Sequence, residues 1–217
     1  MTKMLKTPII TIKGIKRMHG FTIIELLLAT SVFSVVLLGA LGGFIRTGQL
    51  FYKGVTITQT HGVAKQILDD VTSSINNTSA GKILPPNTGN GYSYICVGSV
   101  RYTYNLYRMI DSSQGQSYAP GSGNYGLMRD TVNGCSAPDS SSLGKAAEML
   151  GDRMRLSNFS IAPQGTGHLY TVKATVAYGS DDVLDNPLSN SPNCVGNSQS
   201  QQFCAVSSLS TSVFAGF

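Results

Sequence analysis

A single carboxylate, Glu25, lies inside the longest apolar stretch of the chain. It follows Gly20, Phe21 and Thr22, and residues 26–45 carry no charge. A carboxylate in an apolar, membrane-like environment is costly unless it is protonated, solvated or paired with a cation. The position therefore predicts either an acid held near an interface or an acid that meets a specific positive partner.

The other residues that could do chemistry show no arrangement typical of a catalytic or metal site. The four cysteines are Cys96, Cys135, Cys194 and Cys204. None of them forms the CxxC pair that is typical of zinc and thioredoxin-like sites. The three histidines have no nucleophile partner, and the chain lacks the GxSxG, HExxH, P-loop and dinucleotide fingerprints. We therefore predict a protein that is not an enzyme and that carries no cofactor.

An acidic cluster follows a predicted strand near the end of the chain. Its members are Asp181, Asp182, Asp185 and Asn186. Oxygen ligands of this kind can hold Ca²⁺ in a loop. Their spacing does not match an EF-hand, so we favour solvated turn residues and predict no metal.

The positive charge of the chain is confined to the residues before Gly20. The whole sequence has 16 Lys and Arg against 11 Asp and Glu, for a formal net charge of +5. The basic residues of the first segment, which contains no acid, are Lys3, Lys6, Lys13, Lys16 and Arg17. Without these five, 11 basic residues balance 11 acidic ones. Basic residues before an apolar span keep that end in the cytoplasm, while a neutral remainder removes the electrostatic support for nucleic-acid binding.

The apolar stretch is long enough to cross a bilayer. As a helix, residues 21–45 extend about 37 Å at about 1.5 Å per residue, and lipid favours a helix because backbone groups must pair internally. Gly39, Gly42 and Gly43 indicate either close helix packing or a loosened turn near its end. We predict a transmembrane helix over 21–45.

Beyond Arg46 the apolar residues recur at intervals of four and three, which predicts an amphipathic half of the same helix over 46–78. The expected buried face consists of Leu50, Gly54, Ile57, His61, Ala64, Leu68, Val71 and Ile75. His61 is then expected to be a hydrogen-bonded or edge residue rather than a metal ligand. The helix is predicted to end near Asn76 and Asn77, before a Ser-, Gly- and Pro-containing linker.

Residues 79–217 predict a globular, β-rich head. Tyrosine-rich strands are expected on both sides of a type II′ turn at Gly98 and Ser99. The predicted strands are 92–97, 100–107, 125–131, 155–162, 168–178, 203–206 and 209–214, with a short helix or turn at 143–150. A long helix followed by such strands predicts an α+β fold in which the helix packs on an antiparallel sheet. The tyrosines could alternatively form a base-stacking platform.

Four cysteines allow three pairings. The topology predicted from the basic leader places the head outside the cytoplasm, where disulfides persist. We favour Cys96–Cys135 and Cys194–Cys204, which join sequence neighbours or residues of the same sheet region. Free buried thiols are the alternative.

The basic leader, Gly20, Phe21, Thr22, Glu25 and the long apolar run together resemble the processing site of type IV prepilins and type II secretion pseudopilins. The resemblance implies that residues 1–20 are a leader removed by a prepilin peptidase, which cuts after Gly20. It further implies N-methylation of Phe21. Glu25, the fifth residue after the cut, would then pair with the N-terminal amine of a neighbouring subunit during assembly.

The resemblance also implies a function and a fold. The chain would be a minor pilin or pseudopilin with the lollipop form of that family, whose C-terminal disulfide loops are similar to residues 194–204. Its partners would be other subunits, the prepilin peptidase and methyltransferase, and the cytoplasmic membrane, with the N-terminus inside and the head outside until it enters an extracellular filament. Two alternatives stay open: an unrelated single-span membrane protein, and a pilus-tip module for DNA uptake or adhesion that uses loops 111–124, 132–142 and 179–202.

Overall fold

The computed structural model describes residues 20–111, 125–165, 167–196 and 201–216. The predicted leader, residues 1–20, lies outside the described residues except for Gly20. The chain divides into two compact units, the first ending at Arg46 and the second beginning at Thr47. A long helix, α1 (Ile23–Asn76), is followed by antiparallel sheets. This order confirms the predicted α+β fold.

The first unit contains the apolar part of α1. Its side chains are exposed, and the most apolar part of the helix is long and apolar enough to cross a membrane. The few hydroxyl groups bond within the helix: Thr30 Oγ1 donates to the Leu27 carbonyl at 3.0 Å, and Ser31 Oγ donates to the Leu28 carbonyl at 2.8 Å. Because these hydroxyls are satisfied, they do not oppose an apolar environment.

The second part of α1 buries one face, but that face differs from the predicted one in its first half. The buried residues are Thr56, Thr60, Ala64, Ile67, Leu68, Val71 and Ile75. The prediction was wrong for Leu50, Gly54, Ile57 and His61, all of which are exposed. Thr56 and Thr60 take their place because their hydroxyls donate to carbonyls one turn earlier, at 2.9 and 2.8 Å, so both side chains are satisfied when buried. The helix ends at Asn76, as predicted.

The second unit contains two main sheets. The first has the order β1-β2-β3-β4-β5 and the second has the order β10-β7-β6, while β8 and β9 form a short ladder. The strands are β1 Asn87–Gly89, β2 Tyr92–Val97, β3 Val100–Tyr104, β4 Leu127–Thr131, β5 Ala147–Glu148, β6 Met154–Pro163, β7 Leu169–Tyr178, β8 Leu184–Asp185, β9 Asn193–Cys194 and β10 Ala205–Phe214. A short helix, α2 (Ser140–Leu143), precedes β5. All the strand pairs within these sheets are antiparallel.

The turn between β2 and β3 forms where the sequence predicts it. Gly98 has a φ of +62°, which the first central residue of a type II′ turn requires. A Cβ at this position would lie 2.6 Å from Thr78 Oγ1, so glycine is needed for close packing as well. β3 ends at Tyr104, earlier than predicted, because the chain turns at Tyr107, whose φ is +67°.

One core joins α1 to both sheets. Ile67 and Val71 of α1 lie in the same buried cluster as Ile95 of β2 and Val172 of β7. Buried apolar area of this kind contributes roughly 25 cal/mol per Å². The cluster therefore holds the second half of α1 and the two sheets together as one unit.

A polar network fastens α1 to the first sheet. The hydroxyl of Tyr102, from β3, donates to Asp70 Oδ2 at 2.7 Å and lies 2.9 Å from Ser74 Oγ. Arg129 Nε, from β4, donates to the same Asp70 oxygen at 3.0 Å. Burial is the main cause that raises the pKa of Tyr102 far above its usual value, so the hydroxyl stays protonated and remains a donor.

The carboxylate of Glu148 organises the edge of the first sheet. Its Oε1 accepts from the backbone N–H groups of Leu127 and Leu150, at 2.9 and 3.0 Å, and its Oε2 accepts from Gly126 at 2.9 Å. We expect Glu148→Ala to lower the free energy of unfolding by about 2 kcal/mol or more, because these N–H groups lose their acceptor. Chemical denaturation of the full-length protein in detergent measures this loss.

The same variant has an expected pH dependence. Burial raises the pKa of Glu148 above its usual range, against the lowering effect of the backbone N–H groups of Leu127, Leu150, Gly126 and Met149. The folded protein therefore binds a proton more readily than the unfolded chain, and stability from this group increases as the pH falls through the raised pKa. The difference in the free energy of unfolding between wild type and Glu148→Ala should therefore increase from pH 7 to pH 4. Asp69→Asn, at an exposed position, is the control, and an unchanged or narrowing gap would contradict the prediction.

Candidate processing and assembly site

Helix α1 begins just after the predicted cleavage point. Gly20 and Phe21 precede the helix and are exposed. The Thr22 carbonyl accepts from the N–H groups of Glu25 and Leu26, both at 3.1 Å, and Thr22 Oγ1 accepts from the Glu25 N–H at 3.3 Å. Thr22 thus occupies the N-cap position. The peptide bond between Gly20 and Phe21 consequently lies outside the hydrogen-bonded helix.

Glu25 lies in the first turn of α1, at the end of the helix where a negative charge is favourable. Thr22 Oγ1 lies 3.5 Å from Glu25 Oε2 and can donate to it. Among the residues that the structure describes, no basic side chain forms an ion pair with Glu25. Glu25 lines an open, mainly apolar groove together with Ile24 and Leu28.

Thr22 is a site residue whose structural role sequence reasoning missed. From the sequence, Glu25 was expected to be either an acid held near an interface or the partner of a cation, and Thr22 was given no capping role. The spacing Thr-x-x-Glu is the capping-box pattern that marks the start of a helix. This signal was present in the sequence and would have placed the first helical residue at Ile23.

Both disulfides have the pairing that the sequence favours. Cys96 of β2 is bonded to Cys135 in the loop after β4, and Cys194 of β9 is bonded to Cys204 just before β10. The linked residues are 39 and 10 positions apart. By restricting the unfolded chain, loops of these lengths contribute about 4 and about 3 kcal/mol. The two bonds fasten loops of the head to strands.

The acidic cluster after β7 is a turn held by a buried arginine. Arg155 is almost fully buried, and its Nη2 lies 2.6 Å from Asp181 Oδ1 and donates to the Gly179 carbonyl at 3.0 Å. Asp182 accepts from the Ser180 hydroxyl, which is the largest cause lowering its pKa. In the part of the chain that the structure describes, no three His, Cys, Asp or Glu side chains are grouped to hold a metal. The guanidinium of Arg155 supplies the positive charge next to Asp181.

His61 and the tyrosines of β2 and β3 have structural roles in the part of the chain that the structure describes. His61 is exposed, and its Nδ1 lies 3.2 Å from Ser207 Oγ, as expected for a hydrogen-bonded edge residue. The base-stacking alternative is wrong for the four tyrosines at the centre of the predicted platform, because their side chains are buried in the head. They are Tyr92, Tyr94, Tyr102 and Tyr104. Residues 112–124 and 197–200 of the proposed contact loops lie outside the described residues.

Two arginines that line the cleft beside loop 132–142 are already paired. Arg101 lies 2.5 Å from Asp130, and Arg129 lies 3.0 Å from Asp70. Binding of nucleic-acid phosphates requires clustered basic residues that are free to release counterions. The two arginines therefore do not form such a cluster.

Comparison with known proteins identifies the N-terminal segment. Residues 15–41 match a family model described as the prokaryotic N-terminal methylation motif. No curated protein and no solved structure matches the chain at a significant level. The matched segment includes Gly20, Phe21, the N-cap Thr22 and Glu25. The apolar helix and this motif together indicate a single-pass membrane-anchored protein that carries the prepilin leader signature of type IV pilins and type II secretion pseudopilins.

Proposed function

We propose that the chain is a prepilin that is cut after Gly20 and N-methylated at Phe21, and that it then serves as a structural subunit, a minor pilin or pseudopilin, of a type IV pilus or type II secretion-like filament. The observation that carries this proposal is that the methylation motif coincides with the start of α1. Gly20 and Phe21 lie before the first helical turn and are exposed, so a peptidase can reach an unpaired backbone there.

Assembly through Glu25 follows from the same geometry. Cleavage creates a free amine on Phe21, four residues before the carboxylate of Glu25. In the filament core, the amine of one subunit would meet the Glu25 carboxylate of its neighbour. Opposite charges attract strongly in a low-dielectric environment, while an unpaired charge there is costly. The pair therefore sets the axial position of each incoming subunit.

Apolar side chains that continue beyond the membrane-spanning part of α1 support contacts between subunits. They are Leu50, Phe51, Tyr52, Val55 and Ile57, and all are exposed. Leu50, Phe51 and Val55 line one open, mainly apolar groove. Since they lie after Arg46, contact with neighbouring helices explains their exposure better than contact with lipid.

The proposed orientation places the N-terminus in the cytoplasm and the head outside. The basic residues of the leader favour this direction of insertion. The two disulfides fit a head that folds in an oxidising compartment. The partners are other filament subunits and the prepilin peptidase with its methyltransferase activity, and the mature head is part of an extracellular filament.

The mass of the N-terminal peptide tests the proposal. The full chain is expressed in bacterial membranes with and without a prepilin peptidase, purified in detergent and analysed by mass spectrometry. We expect an N-terminus at Phe21 with one added methyl group only when the peptidase is present. A chain that still begins at Met1 or Thr2 in its presence would overturn the proposal.

Gly20→Val is the matched variant for this experiment. A Cβ at Gly20 would have no atom within 4 Å, so the substitution leaves the described fold unperturbed. Loss of cleavage in this variant therefore reports on recognition by the peptidase. Cleavage at the wild-type rate would show that Gly20 is not the residue recognised.

A further inference from the structure

Two Asn-Gly pairs occur in the sequence, Asn90-Gly91 and Asn133-Gly134. This dipeptide is prone to spontaneous deamidation, because glycine has no side chain to hinder attack of its backbone nitrogen on the preceding side-chain amide. The reaction also requires rotation of the asparagine until Cγ meets that nitrogen, so the local conformation determines the rate. The fold can therefore protect one pair and leave the other reactive.

Asn90 and Gly91 are held in a tight hairpin turn between β1 and β2. Their φ values are +53° and +83°, and the ladder closes beside them with the pair Gly89–Tyr92. Positive φ at both central residues is typical of a type I′ turn. Asn90 Nδ2 donates to the Pro138 carbonyl at 3.1 Å. Rotation of Asn90 toward the attacking nitrogen breaks this bond and distorts the turn, so the reaction is disfavoured here.

Asn133 and Gly134 lie in an exposed loop without such restraints. Both residues are exposed, and within the described residues neither the Asn133 side chain nor the Gly134 N–H has a hydrogen-bond partner. A Cβ at Gly134 would have no atom within 4 Å, so the reacting peptide has free space beside it. The loop is anchored by the Val132 N–H, which donates to the Ser99 carbonyl at 2.8 Å, and by the disulfide at Cys135. Asn133 can consequently rotate while the strands stay in place.

We propose that Asn133 is a site of spontaneous deamidation in the folded protein and that Asn90 is protected from the same reaction. The backbone nitrogen of Gly134 gives up its proton and attacks Cγ of Asn133. The new N–Cγ bond closes a succinimide ring, the Cγ–Nδ2 bond breaks, and Nδ2 leaves with that proton as ammonia. Water then adds to either ring carbonyl and opens the ring, which yields aspartate or isoaspartate.

The reaction changes the charge of one surface of the head. Asn133 lines two open, mainly polar clefts, one of which also contains Lys82 and the other Lys145. Both products place a carboxylate where the unreacted loop presents a neutral amide. Isoaspartate also carries the main chain through Cβ and Cγ, which lengthens the loop that the disulfide at Cys135 closes. The modified head therefore presents a more acidic surface to any partner, and this inference does not depend on the filament assignment.

Mass spectrometry of the full-length protein in detergent tests the inference. The folded protein is incubated at mildly alkaline pH, which favours deprotonation of the attacking nitrogen, and is then reduced and cut briefly with trypsin. The two sites fall on different peptides, 83–101 and 130–145, because each peptide follows and ends with a basic residue. We expect Asn133 to convert at least about tenfold faster than Asn90, whose reaction must break a hydrogen bond and a turn. Isoaspartate should be among the products at Asn133.

Unfolding provides the control for the effect of structure. In urea with both disulfides reduced, the two pairs have similar conformational freedom, so their rates should agree within about twofold. A difference of the original size that persists in urea would overturn the proposal, since the sequence and not the fold would then protect Asn90. Equal rates in the folded protein would also overturn it.

Asn133→Gln is the matched variant. It keeps a side-chain amide at the exposed position but adds a methylene group, which disfavours ring closure. We expect the acidic form of the intact protein, followed by isoelectric focusing, to be largely lost in this variant while Asn90 stays unchanged. An undiminished acidic form in Asn133→Gln, or conversion of Asn133 to aspartate without isoaspartate, would contradict the proposed site or its succinimide route.

Discussion

Glu25→Ala is expected to leave leader cleavage and membrane insertion largely intact and to reduce recovery of the subunit in filaments by about tenfold or more. Glu25 lies after the proposed cleavage point, in the first turn of α1, and its exposed side chain packs against no core. Removing the carboxylate therefore leaves the folded head unchanged. In the proposed filament it leaves the Phe21 amine of the neighbour unpaired in an apolar environment, which costs several kcal/mol.

The filament fraction sheared from cells, compared with the membrane fraction, measures this effect. Thr22→Ala is the informative second variant, because it removes the N-cap at a cost of about 1 kcal/mol but retains the carboxylate. Thr30→Ala serves as the control, since the Thr30 hydroxyl bonds only within its own helix turn. Normal recovery of Glu25→Ala in filaments would contradict the proposed pairing of Glu25 with the amine. An equal loss of recovery in Thr22→Ala would show that the assembly defect comes from the altered start of the helix instead.

Asp130→Ala is expected to lower the free energy of unfolding by about 3–5 kcal/mol. Arg101 and Asp130 pair across β3 and β4, with side chains that are only 2% and 9% exposed. Arg101 Nε and Nη2 donate to the two Asp130 oxygens at 3.1 and 2.5 Å, and Nη1 donates to the Ser136 carbonyl at 2.8 Å. Loss of the carboxylate leaves a buried guanidinium without its counter-charge, which is among the most destabilising single changes.

The neighbouring residue in β4 provides the control. Arg129 pairs with Asp70 at 3.0 Å, but this pair is about one-third exposed, so Arg129→Ala should cost no more than about 1 kcal/mol. Urea unfolding with the disulfides intact, followed by circular dichroism, compares the two variants. The double variant Arg101→Met, Asp130→Leu should recover most of the loss, because it removes both charges together. If Asp130→Ala and Arg129→Ala lost similar amounts of unfolding free energy, burial would not be what determines the cost of breaking an ion pair here.

Features encoded in neighbouring residues could be predicted from the sequence. The end of α1 and strand β2 lie where the periodicity and the aromatic alternation indicated. The cysteine pairing followed from sequence proximity and compartment, and Gly98 marked its turn because a positive φ favours glycine. At the candidate site, the motif that contains Gly20, Phe21 and Glu25 could be recognised because its residues are contiguous, while the roles of these three residues stay predictions.

Features that depend on distant partners could not be predicted. The residues next to Arg101 and Arg155 in the sequence do not indicate that these arginines are buried. Each arginine pairs with a carboxylate that is more than 25 positions away in the chain. Two separate strands were predicted where β10 is one continuous strand, because Ser207 and Ser208 interrupt the run of apolar residues. In the structure both serines are paired with β7 in the ladder. Thr56 and Thr60 were not predicted to be buried, because hydropathy ranks threonine as polar even where its hydroxyl is hydrogen-bonded to a carbonyl of its own helix.

The position of β10 in the chain constrains the order of folding. Val213 of β10 and Ala215, which follows the strand, complete a core that begins with Ala64 of α1, and Gly216 bonds to Ile75. Contacts of such sequence separation form late, because the intervening chain must first be closed into a loop. The core cannot close before the ribosome has made residue 216. Until then the residues of α1 and β7 that belong to this core lack part of their packing partners, and exposed apolar surface of this kind promotes aggregation.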